Sequence, residues 1–244
     1  MAEIDLNRRR LLGAGAAASA LPMAPATSTY RRGFPWAEGE AAAPQPAPHG
    51  NYAWFTAPEA AFIEAATARL IPHDELGPGA IEAGVPQFID RQLAGEFGRG
   101  GRWYMQGPWG AGLPTQGYQS RMGPAQLYRA AIRAIDQTVG RGQPGTAFHQ
   151  LGPTDQDAFL HGLEGGQISL QGADGKTFFK MLLQNTLEGF WSDPIYGGNR
   201  DMVGWRLIGF PGARYDHSIY VARYGQAYPL PPVGLKGRPA WSRS

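Results

Sequence analysis

A segment that is apolar on almost every side constrains this fold more than any other feature of the sequence. Residues 174–190 have the pattern of one helix, and Asp174 is suited to cap it. A helix that is apolar nearly all round is usually buried, so we predict that this is the central helix of the core. Its apolar residues are Phe178, Phe179, Met181, Leu182, Leu183, Leu187 and Phe190.

Turn-forming residues follow this helix directly. The run from Trp191 to Asn199 contains Asp-Pro, which starts a bend, and Gly-Gly-Asn, which accepts positive φ. A second short helical segment comes next, and Phe210-Pro211-Gly212 ends it. That segment carries Met202, Val203, Trp205 and Leu207.

The runs EGFWSDPIYGGN (188–199) and GWRLIGFPG (204–212) resemble the hallmark of the gluconate 2-dehydrogenase subunit 3 family. The resemblance covers about residues 55–217. Such proteins are small, cofactor-free subunits of membrane-bound, flavin-dependent sugar and sugar-acid dehydrogenases of bacteria. A tight turn between helices with flanking core aromatics explains the same residues. Both interpretations can hold, because a rigid turn can support a binding surface.

Helical patterns recur along the rest of the chain. Thr56-Ala-Pro-Glu59 is a capping box, and it predicts a helix that ends near Ile71 before Pro72. Further helices are predicted at 86–94, at 124–139 with Gly140 beyond the end, and after a cap at Thr154-Asp-Gln-Asp157. We therefore predict an all-α fold: a single helical domain of about five to seven helices with long loops rich in glycine, proline and aromatic residues.

The composition of the chain excludes several kinds of catalytic and cofactor-binding site. The chain has no cysteine, which excludes thiolate zinc sites, cysteine-ligated iron–sulfur clusters, covalent c-type haem and a cysteine nucleophile. It has no Gly-x-Ser-x-Gly, phosphate-loop or His-Glu-x-x-His motif. The net charge of +2 comes without a charge block that would indicate nucleic acid as a partner. We predict no catalytic, cofactor-binding or metal-binding residues on this chain.

Residues 1–26 resemble a twin-arginine export signal. Arg8 and Arg9 precede Leu11, Leu12 and a weakly hydrophobic stretch that is too short to span a bilayer. Residues 27–50 are rich in proline and alanine and predict an extended arm. Its aromatic residues Phe34 and Trp36 either lie on a partner or pack back on this chain.

The segment 97–123 has no helical or strand period, yet it contains four large aromatic residues. Long loops inside compact domains are generally functional or disordered, and aromatic residues are enriched in interfaces. We predict a partner-binding loop; the alternative is a loop packed by its own rings. The predicted partner-binding residues are Trp103, Tyr104, Trp109 and Tyr118 in this loop, and Trp191, Asp193, Tyr196, Asn199 and Trp205 in the hallmark.

Two other segments complete the prediction. His73, Asp74 and Glu75 are the one place where three candidate metal or acid–base groups are adjacent, but consecutive loop residues rarely face one ion, so solvated loop residues are expected. Residues 51–224 are predicted as the helical small-subunit domain. Residues 225–244 are predicted as a proline-rich tail that is extended rather than packed.

The resemblance also implies partners. A large flavin-containing subunit would oxidise the sugar, and a multihaem cytochrome c subunit would pass electrons to the membrane. FAD and haem c, with an iron–sulfur cluster left open, are then expected on those chains. This chain would escort the large subunit through the twin-arginine translocase to the periplasmic side of the inner membrane. Two alternatives stay open: an independent periplasmic enzyme using Asp74, Glu75 or Glu188, and a cofactor-free binding protein of the cell envelope.

Overall fold

The computed structural model describes residues 52–110, 112–113, 115–214 and 216–235, without the side chain of Ile219. The predicted export signal with Arg8, Arg9, Leu11 and Leu12 lies outside the described residues, as does the predicted arm with Phe34 and Trp36. Residues 236–244 of the predicted tail also lie outside them.

The described residues form seven α-helices and four short 3₁₀ segments, with isolated bridges in place of strands. This confirms the predicted all-α single domain. The helices are α1 (Ala57–Leu70), α2 (Val85–Ala94), α3 (Glu96–Arg99), α4 (Pro124–Gly142), α5 (Pro153–Glu164), α6 (Gly175–Trp191) and α7 (Val203–Ile208).

Helix α6 is the centre of the domain, packing against α1, α2, α4, α5 and α7. Asp174 caps it, accepting a hydrogen bond from the Thr177 backbone N–H at 2.6 Å. The ring of Phe178 lies 5.2 Å from that of Tyr128 on α4. The prediction that α6 is buried on nearly every side was wrong in one respect: Leu187 is 42% exposed, so one narrow face of the helix meets solvent.

Two helix ends differ from the predicted ones. Helix α4 continues through Gly140 to Gly142, because glycine in this last turn weakens a helix without blocking it. Helix α5 begins at Pro153 with Gly152 at its N-cap, so Thr154 lies inside the helix instead of capping it. Proline is favoured at the first helical position, where its missing N–H has no helical acceptor.

The segment before α1 is fixed by a buried carboxylate that the sequence analysis did not identify. Asp90 on α2 is 2% exposed and accepts backbone hydrogen bonds from Ala53, Trp54 and Phe55 at 2.7–2.9 Å. The guanidinium of Arg129 lies 4.2 Å from the Trp54 ring centroid and donates to the Trp54 carbonyl. The chain therefore enters the domain at a rigid point.

None of the helices in the described part of the chain is both long and apolar enough to cross a membrane.

Candidate functional site: the turn after the central helix

The turn after α6 is built by side chains that bond to its own backbone. The Asp193 carboxylate accepts from the Ile195 N–H at 2.9 Å and starts the 3₁₀ segment Pro194–Tyr196. Gly197 follows with φ of 101°, a conformation that suits a residue without Cβ. The predicted bend at Asp-Pro and the predicted positive φ are therefore both present.

Asn199 ties the two sides of this turn together. Its side chain is fully buried, and its backbone is left-handed with φ of 45°. The amide nitrogen Nδ2 donates to the Ser192 carbonyl at the end of α6, and Oδ1 accepts from the Gly204 N–H in α7, each at 2.9 Å. Asparagine is among the few residues that tolerate left-handed backbone, so one residue meets both requirements.

Two glycines in the hallmark lie against backbone atoms. A Cβ at Gly198 would lie 2.1 Å from the Gly189 carbonyl oxygen, and a Cβ at Gly204 would lie 2.3 Å from the Phe190 carbonyl oxygen. Both distances are far below van der Waals contact, and a backbone atom cannot rotate away as a side chain can. The hallmark therefore specifies close packing of the turn against the last residues of α6.

Helix α7 begins from strained backbone. Asp201 and Met202 have φ of 55° and 56°, and left-handed backbone is unfavourable for a residue as large as methionine. The helix is fixed against α6 by Trp205, whose indole Nε1 donates to the Trp191 carbonyl at 2.8 Å. Strain of this kind persists only where the surroundings enforce it, and it is concentrated at functional sites.

The described part of the tail packs against this turn. Residues 231–235, here called the C-terminal strap, run beside the chain that leaves α7. Ala213 N–H donates to the Val233 carbonyl at 2.6 Å, and Leu235 N–H donates to the Asp193 carboxylate at 2.6 Å. The tail was predicted to be extended rather than packed; its strap is extended but docked, because the turn supplies its hydrogen-bond partners.

The hallmark residues predicted to bind a partner occupy different environments. Tyr196 is 52% exposed, and Trp191 is half-buried. Asp193 is half-buried and bonded to two backbone N–H groups. Asn199 and Trp205 are buried and hold the turn in place. Direct contact with a partner remains a prediction for the exposed members, and the buried members can act only by positioning them.

In the loop at 97–123, some of the aromatic rings pack against one another. The Trp103 ring lies 5.6 Å from Phe97 and 4.9 Å from Tyr118, and the Tyr118 hydroxyl donates to the Met122 carbonyl. Trp109 is half-buried, whereas Tyr104 is 79% exposed. Ring packing of the kind the alternative describes is therefore present for Trp103 and Tyr118, while Tyr104 faces solvent. Partner binding by this loop remains a prediction.

A surface groove of about 450 Å³ brings the loop and the turn together. Trp103 from the loop and Tyr196 from the turn both line it. Helices α2 and α3 and the residues after them complete the lining with Gln92, Gly95, Glu96, Phe97, Gly100 and Arg102. The two segments that the sequence analysis singled out are therefore neighbours in space.

A group of exposed apolar side chains lies in the turn, in and after α7 and at the end of the strap, and the sequence analysis did not identify it. It consists of Ile195, Leu207, Ile208, Phe210 and Leu235, here called the α7 face. Each of these large apolar side chains is between 41% and 62% exposed. The sequence signal for this group was three apolar residues within the four positions 207–210. A buried helix would show the same pattern, so the sequence could not indicate that these residues are exposed.

The candidate acid–base residues do not come together. His73 Nδ1 lies 3.4 Å from Glu82 Oε1 with both side chains largely exposed, and Asp74 accepts from the Leu76 N–H in its own loop. No three His, Asp or Glu side chains among the described residues cluster so as to hold a metal ion. Asp74, Glu75 and Glu188 are exposed, and none of them lines the groove.

These features define an all-helical protein whose most constrained element is a rigid, solvent-facing turn between two helices. A family model described as Gluconate 2-dehydrogenase subunit 3 matches residues 57–212, which include the whole turn and α7. The chain belongs to the gluconate 2-dehydrogenase subunit 3 family, a family of subunits of a dehydrogenase complex. No curated protein and no solved structure matches the chain.

Proposed function

We propose that this chain is the non-catalytic small subunit of a periplasmic, membrane-associated, FAD-dependent sugar or sugar-acid dehydrogenase complex. The family match carries the proposal, because it covers the hallmark turn and its description is of a subunit of a gluconate 2-dehydrogenase. FAD and haem c would reside on the partner chains.

The small subunit acts by binding only the folded flavin-containing subunit. Binding to the folded state alone stabilises that state by mass action, by about 2.7 kcal/mol when the free subunit is at 100 times its dissociation constant. The rigid turn supports this role, because a surface that is ordered before binding loses little conformational entropy on association. The small subunit also supplies the twin-arginine signal at Arg8 and Arg9 for export of the folded pair.

The test is to purify the full chain through a C-terminal tag from gently solubilised native membranes and to record its visible spectrum. We expect flavin and haem absorbance, together with one large chain and one cytochrome. A second experiment tests export: replacing Arg8 and Arg9 by lysine should leave the flavin-containing chain in the cytoplasm. A colourless, single-chain eluate, repeated after crosslinking before solubilisation, would overturn the proposal.

The alternative of an independent enzyme requires a pocket that joins Asp74, Glu75 or Glu188 to a substrate site. The groove described above contains none of these carboxylates, and each is exposed. No observation favours this alternative over the subunit role.

A further inference from the structure

The short segment that leads into α1 is bonded to both α2 and α4. The backbone N–H groups of Ala53, Trp54 and Phe55 all donate to the Asp90 carboxylate on α2, at 2.7–2.9 Å. The guanidinium of Arg129 on α4 lies 4.2 Å from the Trp54 ring centroid and donates to the Trp54 carbonyl at 3.1 Å. Residues 53–55 with Asp90 and Arg129 are here called the Asp90 anchor.

The Asp90 anchor is also connected to α1, which follows it directly. Arg129 donates to the Glu59 carboxylate at 3.3 Å, and Glu59 accepts in turn from the Thr56 N–H in the capping box of α1. The Tyr52 hydroxyl donates to the Glu64 carboxylate on α1. The segment is therefore bonded to three helices before the first turn of α1 begins.

The acceptor at the centre of the anchor is a buried charge. Asp90 is 2% exposed, and no ion pair among the described residues includes it. A buried carboxylate is costly unless it is well hydrogen-bonded, and hydrogen bonds to a charged acceptor are strong. Because three N–H groups share this one acceptor, we expect their bonds to break together rather than one after another.

The other end of the described chain is held by weaker contacts. The Leu235 N–H donates to the Asp193 carboxylate, and the Ala213 N–H donates to the Val233 carbonyl, each at 2.6 Å. Asp193 is only half-buried and Leu235 is 60% exposed, so water competes for these contacts. The two ends of the domain therefore differ in how firmly they are attached.

We propose that the Asp90 anchor is a mechanical attachment, which passes force applied to the N-terminal residues 1–51 into α2 and α4 and so keeps α1 from being pulled apart. Forced unfolding is governed by the rate of unfolding, so the bonds at the point of loading decide resistance more than equilibrium stability does. The use of the anchor in export rests on the proposed function, because a translocase that engages Arg8 and Arg9 pulls from the N-terminal side of Tyr52.

The test pulls on the full chain from each end in turn. A processive ATP-dependent protease engages a recognition tag that is placed before residue 1 in one version and after residue 244 in the other. Asp90→Asn keeps the size of the side chain but removes the charge that all three N–H groups share. We expect the ratio of the degradation rates, N-terminal tag over C-terminal tag, to rise about fivefold or more.

Asn199→Gly is the matched control, because it weakens the turn on which the C-terminal strap docks and should not raise this ratio. Circular dichroism establishes that the variants keep their helical content. If Asp90→Asn accelerates degradation from both ends equally, Asp90 contributes only to global stability and the inference is overturned.

Arg129→Lys tests the anchor from α4 and decides the point if Asp90→Asn does not fold. It keeps the positive charge but removes the planar guanidinium that lies against Trp54. The rate ratio should rise in this variant also, and equal acceleration from both ends would again overturn the inference.

The role of the anchor in export has a test of its own. With Arg8 and Arg9 intact, Asp90→Asn should lower the amount of flavin-containing chain in the periplasm about twofold or more. Unchanged export together with a raised rate ratio would overturn the role in export. If the wild-type chain itself is not exported, the proposed function fails, whereas the pulling experiment still decides whether the anchor resists force.

Discussion

At the scale of single residues, the hallmark is explained by steric and hydrogen-bonding requirements. Gly198 and Gly204 are glycines because backbone carbonyls occupy the space where a Cβ would lie. Asn199 is an asparagine because one side chain must bond to α6 and to α7 from a left-handed backbone. These residues build the surface; the exposed residues around them are the ones available for contact.

Replacing Asn199 tests this account. Asn199→Ala removes both buried side-chain bonds and places Cβ in left-handed backbone, so we expect it to lower the free energy of unfolding by about 2–4 kcal/mol. Asn199→Gly loses the same bonds but adopts positive φ without cost, and its loss should be about 1 kcal/mol smaller. Urea denaturation of the purified chain measures both. Equal losses in the two variants would exclude a contribution from backbone strain.

At the scale of helices, packing around α6 is supplemented by polar links between elements far apart in sequence. One such link joins α1 to α5, where Arg69 makes two parallel hydrogen bonds to the Asp157 carboxylate, each 2.7 Å long. The hydrogen bonds from Arg69 lower the pKa of Asp157 below its usual 3.8. Both side chains are partly exposed, so solvent screens the pair and limits its contribution.

The lowered pKa of Asp157 predicts how the contribution of this ion pair to the free energy of unfolding depends on pH. A carboxyl group with a lowered pKa in the folded state contributes stability above its unfolded pKa, near 3.8, and loses it as the pH falls through the folded pKa. Asp157→Asn should therefore cost less than about 1 kcal/mol at pH 7, and this cost should shrink as the pH falls below 3.8.

Urea denaturation at several pH values from 7 to about 3 measures that difference, with Glu75→Gln in an exposed loop as the control. The control should differ little from wild type at any pH. A cost for Asp157→Asn that stays constant down to the lowest pH would contradict the assignment.

At the scale of the whole molecule, the C-terminal strap connects the end of the described chain to the turn 42 residues earlier. A chain ended at Leu230 lacks the strap, and a chain ended at Leu235 keeps it. We expect the shorter chain to exchange the backbone amide hydrogens of residues 191–214 faster, because the Ala213 N–H loses its acceptor.

Hydrogen-exchange mass spectrometry measures this effect peptide by peptide. Peptides from α1 and α4 should be unchanged in both truncated chains, because the strap makes its backbone bonds to the turn and to the segment after α7. If the chain ended at Leu235 exchanges as fast as the chain ended at Leu230, the strap does not hold the turn.

Local patterns predicted the helices and the turn well. The Asp174 cap, the capping box at Thr56 and the Gly-Gly-Asn run each depend on neighbouring residues, so the sequence displays them directly. The α7 face, the strap and the Asp90 anchor depend on contacts between distant residues. An exposed Leu207 and a buried Leu182 have the same side chain, and only the packing of the other helices separates them.

Gly198 and Gly204 also restrict how this turn can evolve. The groups that oppose them are main-chain carbonyls, which no substitution elsewhere can remove. The turn therefore cannot change through single substitutions to alanine or serine at these two positions, whereas the exposed side chains of Leu207 and Ile208 are under no such steric limit. Two descendants of one ancestor could keep the same turn and yet recognise different proteins.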